Sequence, residues 1–237
     1  MLRNFLFKNK KKPPARQYDK IVSIGSNCEL TWNIRNHFKT DEAYPFDWWM
    51  TPFHSLIELL GNNFSGLFET NNIHIPSDRG TVVDKKYNLM YHHDFLKDSN
   101  GLVVLDGIDE QLAELKKKYE FLSTRFTSHL DGKEVLFIRN RCGNDSTYLN
   151  GDYGDLQPEH CIEIHGKLAS LFPNTKFDIL ATNKPGFEFF RHGNSEIFCD
   201  SIVDLNDSDD YMVSPKGWAE MFERNNIKLR RKSGTRR

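Results

Sequence analysis

Four short apolar runs, separated by helix-length patterns, constrain this chain more than any other feature. They occupy residues 20–24, 135–138, 177–181 and 197–199, and each has the length of a buried strand. Leu30, Ile34 and Phe38 recur at helical spacing behind the first run, with Ser26 or Asn27 as N-cap. Thr51-Pro52, a cap followed by proline at the first helical position, opens a second helix through Leu56, Ile57 and Leu60, and Gly61 stops it. Ile108, Leu112, Leu115, Tyr119, Leu122 and Phe126 mark a long amphipathic helix with a lysine-rich outer face. A fourth helix is predicted from about Pro158 to Phe172, and a fifth opens at Ser214-Pro215 and runs through Trp218, Met221 and Phe222. Strands joined through helices need crossover connections. The expected fold class is therefore α/β: a single domain with a mostly parallel sheet flanked by helices, in a Rossmann-like or flavodoxin-like outline. Residues 62–105 are less periodic and offer one short hairpin, pairing 80–83 with 87–91.

The 237 residues suffice for a core without staples, and eighteen Phe residues call for a packed interior. Net charge is −1, but its distribution is uneven. Six bases and no acid lie in residues 1–17, and six bases and no acid in 228–237. With those twelve set aside, 20 bases face 33 acids between residues 18 and 227, a net of −13. A body that acidic is a poor partner for nucleic acid. The boundaries that follow are a basic flexible leader over 1–18, one α/β domain over 19–227, and a basic flexible tail over 228–237. Cys28, Cys142, Cys161 and Cys199 form no CxxC and no disulfide framework. The N-terminal residues lack the pattern of a signal peptide, and no apolar run is long enough to span a membrane. A cytoplasmic location is the resulting expectation.

In an open α/β sheet ligands gather beyond the carboxyl ends of the strands. Residues 23–28, Ser-Ile-Gly-Ser-Asn-Cys, occupy that place after the first strand. At the start of a helix, unpaired N–H groups and the dipole favour a thiolate at Cys28, and the same groups with Gly25, Ser26 and Asn27 suit an oxyanion or phosphate. The bland reading of Cys28 is a small buried hydrophobe. A nucleophilic thiol needs a base, and spacing alone does not choose one. His92-His93-Asp94 is the densest set, and in an extended segment only one of the two histidines can face the site. His37 lies more than two helical turns from Cys28, and His54 reads as a surface residue. In residues 44–49, Tyr-Pro-Phe-Asp-Trp-Trp, Asp47 faces an apolar wall, either to orient a histidine or to cap a turn. Arg139 and Arg141, at a strand end, either clamp a carboxylate or phosphate or pair with the acidic surface. Cys161 and His165 share one helix face, but without a paired CxxC or HxxxH no metal site is expected, and no cofactor. Walker, GxGxxG and GxSxG motifs are absent from the sequence.

Residues 23–28, Ile34-Arg35, residues 45–48, His93-Asp94-Phe95 and residues 137–139 resemble the bacterial family described as putative papain-like cysteine peptidases, a domain of unknown function. The resemblance runs from about residue 19 to 225 and includes Trp218 and Phe222. It implies Cys28 as nucleophile and His93 as base, with Asp94 or Asp47 orienting the imidazole. It also implies a setting beside cell-surface polysaccharide assembly. A papain fold pairs its cysteine helix with an antiparallel barrel half, whereas this chain alternates strands and helices. The strand, Gly-Ser-Asn turn and helix are similar in outline to SGNH-type esterases and acetyltransferases. In that scheme Ser26 is a rival nucleophile, Asn27 an oxyanion donor and Asp209-Asp210 a late acid, although no histidine follows residue 192. The leading expectation is a cysteine-dependent hydrolase or acyl transferase acting on a small-molecule, glycan or peptide substrate. The alternative outside catalysis is a sugar-phosphate or anion-binding domain in which residues 25–29, Arg139 and Arg141 form the cradle and Cys28 is inert.

Overall fold

The structure, a computed structural model, describes residues 14–141, 149, 156–182, 190–202 and 215–230. Cys142, Asp209-Asp210 and Ser214 lie outside these residues. Two short strands, β1 (Arg16–Tyr18) and β2 (Lys20–Ser23), lead into helix α1 (Cys28–Phe38). Strand β3 (Trp49–Met50), helix α2 (Phe53–Gly61) and strands β4 (Ile73–His74), β5 (Val82–Asp84) and β6 (Leu89–Tyr91) follow. Helix α3 (Ile108–His129), β7 (Glu134–Asn140), α4 (Pro158–Leu171), β8 (Lys176–Thr182), β9 (Phe190–His192), β10 (Ser195–Asp200), α5 (Pro215–Arg224) and β11 (Ile227–Leu229) complete the order.

The main sheet has the order β2-β7-β8-β10-β9, parallel throughout except for β9 against β10. Its central strands alternate between two cores, as strands buried on both faces must. On β7, Val135 and Phe137 enter the larger core with Leu56 of α2, Phe126 of α3 and Leu168 of α4. Leu136 and Ile138 enter the smaller one with Leu30 and Ile34 of α1 and Trp218, Met221 and Phe222 of α5. The mostly parallel sheet with helices on both faces is as expected. Its strand order departs from the expected outline. A Rossmann or flavodoxin sheet reverses direction and opens its ligand crevice at the reversal. Here the four parallel strands cross the sheet in chain order without turning back. The long connection from β2 to β7 spends its residues on a separate antiparallel sheet, β3-β6-β5-β4, in place of further parallel strands. Within that sheet the expected hairpin is β5 against β6, with Val83 opposite Met90.

Strands β1 and β11 pair in parallel, Arg16 with Ile227 and Tyr18 with Leu229, across the boundaries expected at residues 18 and 228. Tyr18 is buried and its hydroxyl donates to Asp178 Oδ2 at 2.7 Å. Among the described residues no helix is long and apolar enough to cross a membrane.

Candidate active site

Strand β2 stays bonded to β7 through Ile24, whose N–H donates to the Ile138 carbonyl at 2.9 Å. The chain then turns at Gly25, where φ is +85°, a region that costs an L side chain energy and glycine almost none. Space imposes the same choice: a Cβ on Gly25 would stand 2.5 Å from Arg139 Nη1 and 3.3 Å from Thr51 Cβ. Asn27 is extended and holds the N-cap position without a side-chain cap bond, so α1 begins at Cys28. The expected placement of Cys28 in the first helical turn is what the structure contains.

Three strand ends meet at this turn. The Asn140 N–H donates to the Gly25 carbonyl at 2.9 Å, and the Arg141 N–H donates to the Thr182 carbonyl at 3.1 Å. The Ser26 hydroxyl donates to the Arg141 carbonyl at 2.8 Å, while the Ser26 carbonyl accepts the Thr51 N–H at 2.8 Å. Thr182 donates through its hydroxyl to Asn140 Oδ1. Beside Cys28, Glu29 accepts from Trp218 Nε1 of α5 at 2.8 Å and stands 3.5 Å from Asn140 Nδ2. The turn that carries the thiol is thus held by β7, β8, the residue after β3, and α5.

Electrostatics at Cys28 run against the sequence expectation. The N–H groups of Cys28 and Glu29 do favour the thiolate, but burial outweighs them and the Glu29 carboxylate adds to it, so the thiol is pushed above its ordinary value. A helix start lowers a thiol only where the anion is solvated or paired, and here desolvation wins. The thiolate is the reacting form, so the sign is fixed: alkylation of Cys28 by iodoacetamide should be slow at pH 6–7. It should climb with pH to a midpoint above the roughly 8.5 of a free cysteine. Peptide mass spectrometry on samples labelled across pH 6–10 measures this. A Cys28 midpoint below that of free cysteine would overturn it.

The residues expected to partner Cys28 make contacts of their own. Among the described residues no hydrogen bond joins the Cys28 thiol to a histidine. The His93 ring packs edge-on against Trp48 at 5.9 Å and against His92 at 4.9 Å. Burial, then Lys97, push its imidazole below the ordinary value, and Asp94 opposes them. Asp94 is turned into α3 rather than toward His93: it accepts from Tyr119 at 2.7 Å, Lys118 at 2.8 Å and Trp49 Nε1 at 3.2 Å. Asp47, 2% exposed, accepts from Arg35 at 2.7 Å, the Tyr44 N–H at 3.0 Å and Thr31 at 3.1 Å. Burial raises its carboxyl despite these donors. The acid against an apolar wall is therefore real, but it is satisfied by α1 and its own turn and orients no histidine.

Arg139 is a correction of a different kind. Expected either to clamp an anion or to pair with the acidic surface, it is 1% exposed and donates from Nη1 to the Ile24 carbonyl at 2.9 Å and from Nη2 to the Thr51 carbonyl at 2.6 Å. It braces the underside of the Gly25 turn. Arg141 is exposed, and its backbone rather than its guanidinium fixes Ser26. Ser26 itself is 1% exposed with its hydroxyl given to that carbonyl, a scaffold role rather than that of a rival nucleophile. Cys161 is buried, its thiol pushed up to about 12 by burial. Among the described residues no group of three or more His, Cys, Asp or Glu is arranged to hold a metal ion. Sequence reasoning missed Asn140 and Thr182, and took Glu29 only as part of the turn. Their only signal was position, next to the cysteine or at the carboxyl end of a predicted strand.

Compared with known proteins, residues 19–171, more than half of the chain, match the model of the family described as putative papain-like cysteine peptidase. No curated protein and no solved structure matches.

Proposed function

Because this chain belongs to the family described as putative papain-like cysteine peptidase, we propose that it is a cysteine-dependent hydrolase or acyl transferase with Cys28 as its nucleophile. The observation that carries this reading is the position of Cys28. It is half-buried, in the first turn of α1, beyond the carboxyl end of a parallel strand, on a turn held by β7, β8, the residue after β3, and α5. In the reaction Sγ attacks a substrate carbonyl, the thiol proton leaves to a base, and the carbonyl electron pair becomes an oxyanion beside the N–H groups at the head of α1. Collapse expels the leaving group, and water or an acceptor alcohol takes the acyl group from sulfur.

His93 is the base offered by the family resemblance. Burial and Lys97 hold its imidazole below the ordinary value, so it is neutral and ready to accept a proton. The substrate class is a carbonyl compound: a peptide, a glycan acyl group or a small ester. The resemblance adds a role beside cell-surface polysaccharide assembly. Burial of Arg139 weakens the competing anion cradle, because its guanidinium is spent on two carbonyls.

The test is hydrolysis of a panel of peptide amides, O-acetylated sugars and aryl esters at pH 8–9 by wild type, Cys28→Ser and His93→Ala. Cys28→Ser should lose turnover while keeping its urea unfolding midpoint. Turnover at the wild-type rate in Cys28→Ser would remove the thiol chemistry. Full turnover in His93→Ala would remove His93 alone.

A further inference from the structure

A buried amide touches both chain neighbours of the candidate nucleophile with its donor end lightly held. Asn140, the last residue of β7, is 5% exposed, and its N–H is fixed to the Gly25 carbonyl at 2.9 Å. Thr182 donates to its Oδ1. Its other end faces two acceptors, Asn27 Oδ1 and Glu29 Oε2, each at 3.5 Å. Two acceptors at one end and a hydroxyl donor at the other settle which end carries the hydrogens, so Nδ2 points at the turn. Both of its contacts lie beyond the usual N–H···O range. A buried amide with weak partners costs free energy unless something else takes those hydrogens. Asn27 and Glu29 are the residues on either side of Cys28, so the amide reaches the turn at both neighbours of the nucleophile. Glu29 is meanwhile held through Oε1 by Trp218 at 2.8 Å, which keeps its carboxylate from closing further onto the amide.

We propose that the Asn140 side chain is a catalytic residue, donating from Nδ2 to the oxyanion formed when Cys28 attacks a carbonyl, and that Thr182 is the positioning residue that aims it. This rests on the reading of Cys28 as nucleophile. With p-nitrophenyl acetate the Sγ–C bond forms, the carbonyl π pair moves onto oxygen, and the thiol proton passes to a water or buffer base. The oxyanion takes one hydrogen bond from Asn140 and one from an N–H at the head of α1. Re-forming the carbonyl breaks the bond to p-nitrophenolate and leaves S-acetyl Cys28, which water then hydrolyses to acetate and free thiol.

Two reagents separate this role from a structural one. Acetylation by p-nitrophenyl acetate passes through an oxyanion, and alkylation by iodoacetamide does not. In Asn140→Ala, acetylation of Cys28 should slow by about 10²-fold or more while alkylation at the same pH is unchanged. Thr182→Val, which leaves Asn140 in place, should slow acetylation in the same direction by a smaller factor and keep the urea midpoint close to wild type. Product is read as the p-nitrophenolate burst and as acetyl on the Cys28 peptide. Equal slowing of both reagents, or of neither, in both variants overturns the role of Asn140. A wild-type protein alkylated but never acetylated at Cys28 overturns the nucleophile reading itself, and the oxyanion donor with it.

Discussion

Arg139→Met is expected to destabilise the protein by about 3–5 kcal/mol, because two buried carbonyls lose charge-assisted partners and nothing replaces them. Methionine fills much of the volume, so the loss is polar rather than a cavity. The Ile24 and Thr51 carbonyls, reached by Nη1 and Nη2 at 2.9 and 2.6 Å, belong to segments with no backbone bond to each other at those oxygens. One planar cation spans both, a geometry that lysine, as a point charge, does not reproduce. Against a total stability of about 5–15 kcal/mol, typical of folded proteins, such a loss is severe. Urea unfolding followed by far-UV circular dichroism measures it as a fall in midpoint at unchanged slope. A loss below about 1 kcal/mol would mean that water or neighbouring donors satisfy those carbonyls.

Gly25→Ala should cost nearly as much, by two separate routes. The residue sits at φ +85°, where an L side chain costs about 1–2 kcal/mol. Its new Cβ would also stand 2.5 Å from Arg139 Nη1, inside any real contact distance, so the guanidinium must move off the Ile24 carbonyl. Overpacking of this kind costs about 1–3 kcal/mol. The two substitutions share one contact and should not add. In an Arg139→Met background Gly25→Ala should retain the backbone cost and lose most of the clash. A double-mutant cycle in urea reads that coupling directly, and strict additivity would show that the turn does not rest on Arg139.

Much of the architecture was legible in local pattern, and its limits have physical causes. The apolar runs and the periodic series through Phe126 located β7, β8, β10 and α3, because burial on two faces or on one stripe writes itself into residue type. Strand order was not legible. Only the β5–β6 hairpin of the antiparallel sheet in the crossover was announced, since β3 and β4 are two residues long and have no period to detect. Cys28 was placed correctly on its helix, yet the sign of its shift was not, because burial depends on α5 and the strand ends that close around it. Arg139 misled for the same reason. An arginine after an apolar run looks like a strand end meeting solvent, and only convergence of the Ile24 and Thr51 carbonyls gives a reason to bury it. Asp47 was recognised as an acid against aromatics, but its partner, Arg35, comes from the face of a helix and not from the histidine segment.

The order of strands across the main sheet also has a consequence for biosynthesis. Strands β2, β7, β8 and β10 are added in the order in which they are made, each to the edge left by the one before. A nascent chain emerging amino end first can therefore add these four strands in turn, and only the edge strand β9, made just before β10, waits for β10 to settle between it and β8. The pairing of β1 with β11 departs furthest from that order. Arg16 must stay single until Ile227 exists, and the loop closed by that contact is nearly the whole chain. Ribosome-bound intermediates should carry a growing parallel sheet and a β1 still without its strand partner.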